Sequence, residues 1–176
     1  WIVTNLLIDD QVCYGVIAQQ LSTGKLHLLH SKTVILATGG IGRMYEPNTS
    51  GFNATADGIA LAYTAGVDLM DMEFTQYHPT TLSGNGLVIT ETARSIGGHL
   101  INTNGNRFMD SYAPNTMELT PRDTLVRSIK AELEAGRGQD GCILLDLKHL
   151  DVKDILEELP ETKFLVKKLT GIDISK

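Results

Sequence analysis

From Trp1 to Ala37 the apolar residues come in short runs rich in β-branched side chains: "WIVTNLLID", "CYGVIAQQL", "LHLLHS" and "TVILA", separated by Asp, Gly and a turn at "STGK". The pattern predicts short antiparallel strands feeding one buried strand, Val34 to Ala37. The period then changes. "ATADGIALAYTAG" is nearly continuous in apolar residues, with Asp57 and Gly58 near its start and Gly66 just past its end, which predicts a buried helix. After Gly98, "HLINTNGNRFMDSY" reads as two strand-like pieces about a strong turn. "MELTPRDTLVRSIKAELEAGRG" holds the clearest helix. Thr120 is its expected N-cap, Pro121 its first helical residue, and Gly136 its stop, with Leu125, Val126, Ile129 and Leu133 on one face. A buried strand at "CILLDL" follows, then two short charged helices divided by Pro160. There is no internal repeat and no low-complexity tract.

Composition narrows the function classes. The chain has 176 residues, 42% of them hydrophobic, enough for one sizeable core or for one domain and part of another. Fifteen Lys and Arg against 21 Asp and Glu give a net charge of −6, without a basic cluster, which argues against nucleic acid and for a small organic ligand. The longest apolar stretches, such as Thr33 to Ala37 and Gly58 to Ala65, fall short of the roughly 20 residues of a membrane span. Cys13 and Cys142 stand far apart, so neither a zinc site nor a disulfide framework is indicated, and a reducing compartment is expected. The chain opens at Trp1 on a strand-like run, with no initiator Met and no signal-peptide pattern, and reads as cut or processed from something longer.

Three places carry candidate chemistry. "ATGG" puts two glycines at the carboxyl end of a predicted strand, where backbone can approach a cofactor without Cβ interference. It lacks G-x-G-x-x-G spacing, since Tyr45 stands at the third glycine position, and a tight strand-to-loop turn explains it equally well. His78 precedes a proline, which holds it in extended backbone. Thr80, Thr90, Glu91 and Arg94 follow, all able to contact an anion or relay a proton, and together they favour a site over a structural histidine. Arg122 falls in the first turn of the clearest helix, where the macrodipole disfavours a cation. Either Asp123 compensates it, or its guanidinium and the helix N-terminus grip a carboxylate. Arg43, Arg107, Arg127 and Arg137 read as surface or structural. The five histidines do not suggest a metal: His27 and His30 point to opposite faces of a strand, and His99 and His149 stand isolated in the sequence.

The ordered set "VILATGGIGRMYEPNTSGFNATADGIALAYTAGVDLMDMEFTQYHPT", "ITETARSIGGHLINTNGNRFM", "MELTPRD" and "LLDLKHL" resembles the flavoprotein subunit of the succinate dehydrogenase/fumarate reductase family over nearly the whole chain. L-aspartate oxidase is similar in its histidine, Thr-Glu and Pro-Arg-Asp elements. The short step from His78 to Thr90 and the "MEL" before "TPRD" lean toward fumarate reductase. The resemblance implies an α+β fold, a fragment of a two-domain FAD-dependent oxidoreductase. Residues 1–56 would belong to the FAD-binding domain and 57–176 to an incomplete capping domain that closes over substrate.

It further implies FAD contacts at Ala37, Thr38, Gly39, Gly40, Asn48, Thr49 and Asp57, substrate contacts at His78, Thr90 and Glu91, and Arg122 as proton donor resupplied by Glu91 and Arg94. The implied reaction interconverts fumarate and succinate. The implied partners are a small dicarboxylate and, in the parent, iron-sulfur and membrane-anchor subunits, with a cytoplasmic location or one on the cytoplasmic face of the membrane. Two alternatives stand beside it: an FAD-dependent L-aspartate oxidase of NAD biosynthesis, and a folded capping module without catalysis. The family commonly has "HPTG" and "TEGxRGEGG", whereas this chain has Thr81, Thr92, Ser95 and Ile96 in place of small or acidic residues, so a carboxylate near the relay is missing at position 96. The family's N-terminal dinucleotide motif, its flavin-attaching histidine and the later His and Arg of its dicarboxylate clamp are also absent. The isolated chain is therefore expected to bind flavin poorly and to turn over nothing.

Overall fold

The computed structural model describes residues 1–46 and 48–176, which form two compact units, Trp1–Tyr77 and His78–Lys176. In the first unit the β-branched runs make an antiparallel meander, β1 (Ile2–Asp9), β2 (Val12–Gln19) and β3 (Leu26–His30), in the order β1-β2-β3. The β1–β2 turn has Asp10 and Gln11 both at positive φ (45° and 62°), the mirror-image turn whose twist suits a two-residue hairpin. The turn expected at "STGK" closes β2 onto β3, with the Gln20 carbonyl accepting from Thr23 N and Gly24 N at 3.2 and 2.8 Å. Gly15 is required where it stands. Its φ is +142°, and a Cβ there would lie 2.0 Å from the Leu29 carbonyl oxygen of the neighbouring strand.

Two expectations for this unit fail. Val34 to Ala37 is not a strand, and Ile35 is 85% exposed. A strand needs neighbours to take up its N–H and C=O groups, and among the described residues none pairs beyond β3. The apolar helix is α1 (Asp57–Thr64), ending as expected before Gly66, but only its Gly58 is buried. Ala18 is the one buried apolar side chain of this unit among the described residues. The meander is held by its ladder more than by a core.

The core lies in the second unit, where Leu100, Phe108, Met109 and Leu125 are buried together against Ala113, Ile129, Ile143 and Leu145. It joins β4 (His99–Ile101), α3 (Met109–Tyr112), α4 (Arg122–Glu134) and β5 (Leu144–Asp146), with β4 and β5 antiparallel. The "NTNGN" turn is built on buried Asn102, whose Oδ1 accepts from Asn104 N and Asn106 N. Beyond it the second strand-like piece is mostly helix: a single bridge at Arg107 gives way to α3, which brings Met109 and, four residues on, Ala113 to the core. β5 is shorter than "CILLDL" and only half-buried, with Leu144 42% exposed. Helix α4 begins at Arg122, with Pro121 in the N-cap position and no side-chain cap from Thr120. Its buried face is Leu125, Ser128 and Glu132, while Val126 turns to solvent, because α4 packs along its 3.6-residue stripe with a polar network at one end. Helices α5 (Val152–Glu158) and α6 (Pro160–Thr170) divide at Pro160 as expected and bury Ile155, Leu159 and Val166. His99 and His149, far apart in sequence, stack with ring centroids 4.0 Å apart. Cys13 and Cys142 are free thiols, and no helix among the described residues is long and apolar enough to cross a membrane.

The polar network at α4 is a buried fork. Arg137 donates to both oxygens of Glu132 at 2.8 and 2.7 Å, while Asn102 Nδ2 and Tyr112 Oη donate to the same carboxylate at 2.9 and 2.8 Å. These donors, Arg137 foremost, hold Glu132 down at about 2. Since the folded pKa lies below the unfolded one, the stabilisation is complete above about pH 4.5 and is lost as pH falls toward 2. Glu132→Ala should lower unfolding free energy at pH 7 by on the order of 3 kcal/mol and flatten the acid limb of a urea-denaturation series. An unchanged acid limb in the variant would mean that the fork carries none of the pH dependence.

Candidate active site

Residues 78–98 are a loop system closed by their own backbone. Thr80 and Ile89 exchange hydrogen bonds, Leu82 N donates to Leu87 O at 2.8 Å, and Thr81 bridges Val88, one of the positions that depart from the family pattern. This hairpin returns the chain from His78–Pro79 to Thr90, and the one-turn helix α2 (Thr92–Ser95) follows at once. The two glycines after it are structural: Gly97 N and Gly98 N donate to the Arg94 and Ala93 carbonyls, and a Cβ on Gly98 would lie 2.4 Å from Ala93 O. Glu91 thereby sits at the N-terminus of α2 and Arg94 on its buried side.

Arg122, from the start of α4, meets this loop. Its Nη2 is 3.6 Å from Glu91 Oε2, and Arg94 Nη2 is 3.8 Å from the same oxygen. Asp123 does not compensate Arg122, because its carboxylate pairs with Arg127 one turn along α4. Arg122 faces the Glu91 carboxylate, outside its own helix, instead. The three groups differ sharply in exposure: the Glu91 and Arg122 side chains are 54% and 48% exposed, Arg94 only 1%. Arg94 Nη1 donates to the Glu118 carbonyl at 2.5 Å, while its Nε and Nη2 have no hydrogen-bond partner. Burial lowers its pKa, with Arg122 adding to the fall and Glu91 opposing it. Thr90, the other expected substrate contact, is exposed at the mouth of the loop.

His78 Nδ1 lies 3.0 Å from the Thr80 carbonyl and 3.4 Å from Thr80 N, so the Thr80 backbone holds the ring. Burial is the main cause that lowers the His78 pKa. The Thr80 hydrogen bond opposes it, and Arg122 and Arg94 push it down further against Glu91. The five groups anticipated at one place from the sequence, His78, Thr90, Glu91, Arg94 and Arg122, are thus gathered by one hairpin, one short helix and one helix start.

The expected cofactor positions all fall in the first unit. Thr38 Oγ1 accepts from Gly58 N at 3.0 Å, and a Cβ at Gly58 would lie 2.1 Å from that oxygen, so the "ATGG" segment and the start of α1 meet only because residue 58 is glycine. Thr38 and Asp57 line a cavity of about 640 Å³ between β1 and α1, with Trp1, Val3 and Ala60. Asp57 Oδ1 accepts from Thr55 Oγ1. Asn48 bridges Arg43 and Ser50 through Oδ1 and donates to Tyr45 O, which fixes the loop that also carries Thr49. Gly39 has φ +84°, and neither it nor Gly40 has an atom within 4 Å of where a Cβ would point. Bare backbone open on one side next to Ala37 is a surface that fits a planar or phosphate-bearing group at close range.

Residues 1–175 match the family model of the FAD binding domain. The chain belongs to that family. It is 42% identical over 175 residues to the succinate dehydrogenase flavoprotein subunit of Rickettsia conorii, covering 98% of this chain and 29% of the relative. A match at 41% to the mitochondrial succinate dehydrogenase flavoprotein subunit of Oryza sativa covers 98% of this chain and 28% of that one. Among solved structures, an E. coli quinol fumarate reductase FrdA variant superposes with a TM-score of 0.91 at 38% identity, over 98% of this chain and 32% of that one. The chain therefore spans about three-tenths of the length of the relatives it matches. The resemblance drawn from the ordered motifs is borne out, as are the mixed α and β fold and FAD as the family's cofactor.

Sequence reading gave no role to Glu118, which entered only within "MEL", while Arg107, read as surface or structural, is structural, paired with the Glu118 carboxylate. The available signal was a lone glutamate inside an apolar tripeptide directly before "TPRD". An NMR titration tests the electrostatics of the cluster: the His78 ring should titrate below 6.5, Glu91→Gln should lower its midpoint further, and Arg122→Ala should raise it. A midpoint that ignores both substitutions would show that these charges do not reach the ring.

Proposed function

We propose that this chain is the substrate-facing part of an FAD-dependent oxidoreductase that interconverts fumarate and succinate. Residues 1–56 would belong to its FAD-binding domain and 57–176 to its capping domain. The observation that carries the reading is the convergence of two guanidinium groups, from Arg122 and Arg94, on one oxygen of Glu91. An arginine is always charged in the ground state, so it can act as an acid only by losing a proton transiently and regaining it at once. A carboxylate between two arginines suits that demand.

FAD, when bound, supplies or accepts the hydride. Ala37, Thr38, Gly39, Gly40, Asn48, Thr49 and Asp57 would hold it, the glycines by presenting bare backbone. His78, held through its Nδ1 against the Thr80 backbone, contacts the substrate. Thr90 adds a hydroxyl donor, and Glu91 orients Arg122 while contacting substrate. Arg122 delivers the proton to the alkene carbon, and Glu91 with Arg94 restores it. Charge developing on the substrate is met by a cationic group already in place, which is where a positioned electrostatic partner contributes most. Alone, the 176 residues bind flavin weakly and do not turn over. The relatives named for succinate dehydrogenase and quinol fumarate reductase support iron-sulfur and membrane-anchor partner subunits for the parent.

The test uses the full-length parent without oxygen: reduced flavoprotein is mixed with fumarate, flavin reoxidation is followed by absorbance, and L-aspartate is offered as reductant to the oxidised form. Fumarate should reoxidise the flavin rapidly, and Arg122→Ala should slow this by roughly 10²- to 10⁴-fold with flavin content retained. Reoxidation at parental rate in the variant would remove Arg122 from the chemistry, and flavin reduction by aspartate would move the enzyme to the aspartate oxidase class.

A further inference from the structure

The buried end of the cluster holds a residue with no role so far. Glu118 is 2% exposed, as buried as Leu100 in the core. Its carboxylate is fully occupied: Arg107 Nε donates at 2.9 Å and Nη2 at 2.5 Å, and Leu100 N donates at 3.1 Å. Its carbonyl faces the other way and takes the 2.5 Å hydrogen bond from Arg94 Nη1. One residue therefore clamps β4 and Arg107 with its side chain and the Arg94 guanidinium with its backbone.

Two facts make that carbonyl decisive for Arg94. Nε and Nη2 of Arg94 have no hydrogen-bond partner, so among the described residues the Glu118 carbonyl is what fixes the rotation of the guanidinium. The backbone that presents it is strained, with Met117 at φ +49°, a left-handed conformation that a residue with a side chain keeps only where its surroundings enforce it. Met117 N donates to Ala113 O at 2.7 Å, closing the turn that leads into Glu118. An ion pair needed only to tie two elements together would have no call for a strained turn aimed at a third group.

We infer that Glu118 is a positioning residue for Arg94, with Arg107 as its counter-ion: the Arg107–Glu118 pair sets the Glu118 carbonyl, the carbonyl sets the Arg94 guanidinium, and the guanidinium sets Glu91 against Arg122. The inference rests on the proposed proton relay and names the element that keeps it in register. It also accounts for a buried carboxylate whose desolvation raises its pKa, yet which stays ionised because Arg107 and the Leu100 N–H outweigh that cost.

The experiment uses the full-length parent and two substitutions of the same kind. Glu118→Gln keeps size and one acceptor but loses the Arg107 ion pair. Glu132→Gln does the same to the other buried Arg–Glu fork, which touches neither Arg94 nor the loop at 78–98. Fumarate-dependent kcat should fall at least about tenfold in Glu118→Gln with KM and flavin content nearly unchanged, and should stay at the parental value in Glu132→Gln. Combined with Arg94→Ala, Glu118→Gln should add little further loss, since both act through one guanidinium. A crystal structure of Glu118→Gln should show Arg94 Nη1 displaced from the residue-118 carbonyl. If the two Gln variants lose thermal stability alike and both keep kcat, or if Arg94 stays in place, the pair is only structural and the inference is overturned. If the parent does not use fumarate at all, the relay itself fails and takes this inference with it, an outcome told apart by the unmodified protein.

Discussion

Burial of charge is the constraint around which the second unit is organised. Arg94, Glu118 and Glu132 are each 3% exposed or less, and a charge removed from water is tolerated only with partners close by. The two carboxylates solve this fully, each with a forked arginine and further N–H or O–H donors. Arg94 solves it only in part, with one backbone carbonyl and a carboxylate at 3.8 Å. The unit's apolar core is arranged between these polar anchors: Leu100 donates its N–H to Glu118, and Asn102, two residues on, donates to Glu132. The same short strand β4 thus ties the active loop on one side to the α4 fork on the other.

This gives the candidate site a graded stiffness. Arg94 and Glu118 are fixed in the interior, whereas Glu91 and Arg122 are half in solvent, with separations of 3.6 and 3.8 Å that are longer than hydrogen bonds. Exposed ion pairs of that length contribute little to stability. Their use is geometric, in that a carboxylate and a guanidinium which are not locked together are free to exchange partners. A buried, fixed cation behind them keeps the local field in place while that exchange happens, as preorganised electrostatic sites require.

The first unit follows a different logic. Its ladder is regular, yet Trp1, Ile35, Leu36, Phe52 and several strand residues remain exposed, and almost nothing apolar is buried. Its contribution to a site is backbone, in the form of Gly39 at positive φ, Gly40 open on one side, and a Thr38–Gly58 contact that no larger residue at 58 would allow. Such features depend on local sterics and do not need a large core.

Where a structural feature depends on neighbours in sequence, it was legible in the chain. The meander, the "STGK" turn, the break at Pro160 and the stops at Gly66 and Gly136 follow from turn chemistry and period, and the ordered motifs carried the family, the cofactor and the membership of the His78 to Arg122 cluster. Where a feature depends on what lies across from it, the sequence was silent or misleading. Val34 to Ala37 has the composition of a strand but lacks an edge to pair with. Val126 has the spacing of a core residue but faces water, because α4 turns Ser128 and Glu132 inward instead. Asp123 is adjacent to Arg122 in sequence yet pairs one turn along, leaving Arg122 to Glu91. Glu118 stood in the sequence only as part of "MEL", since burial of a carboxylate is decided by donors from Arg107 and Leu100 that only folding brings to it. The sequence by itself determined the local elements and the chemical vocabulary of the site, because both are set by residue type and spacing. Which charge meets which, and which is shielded from water, only the tertiary structure decided, because electrostatic partnership is a matter of distance through space.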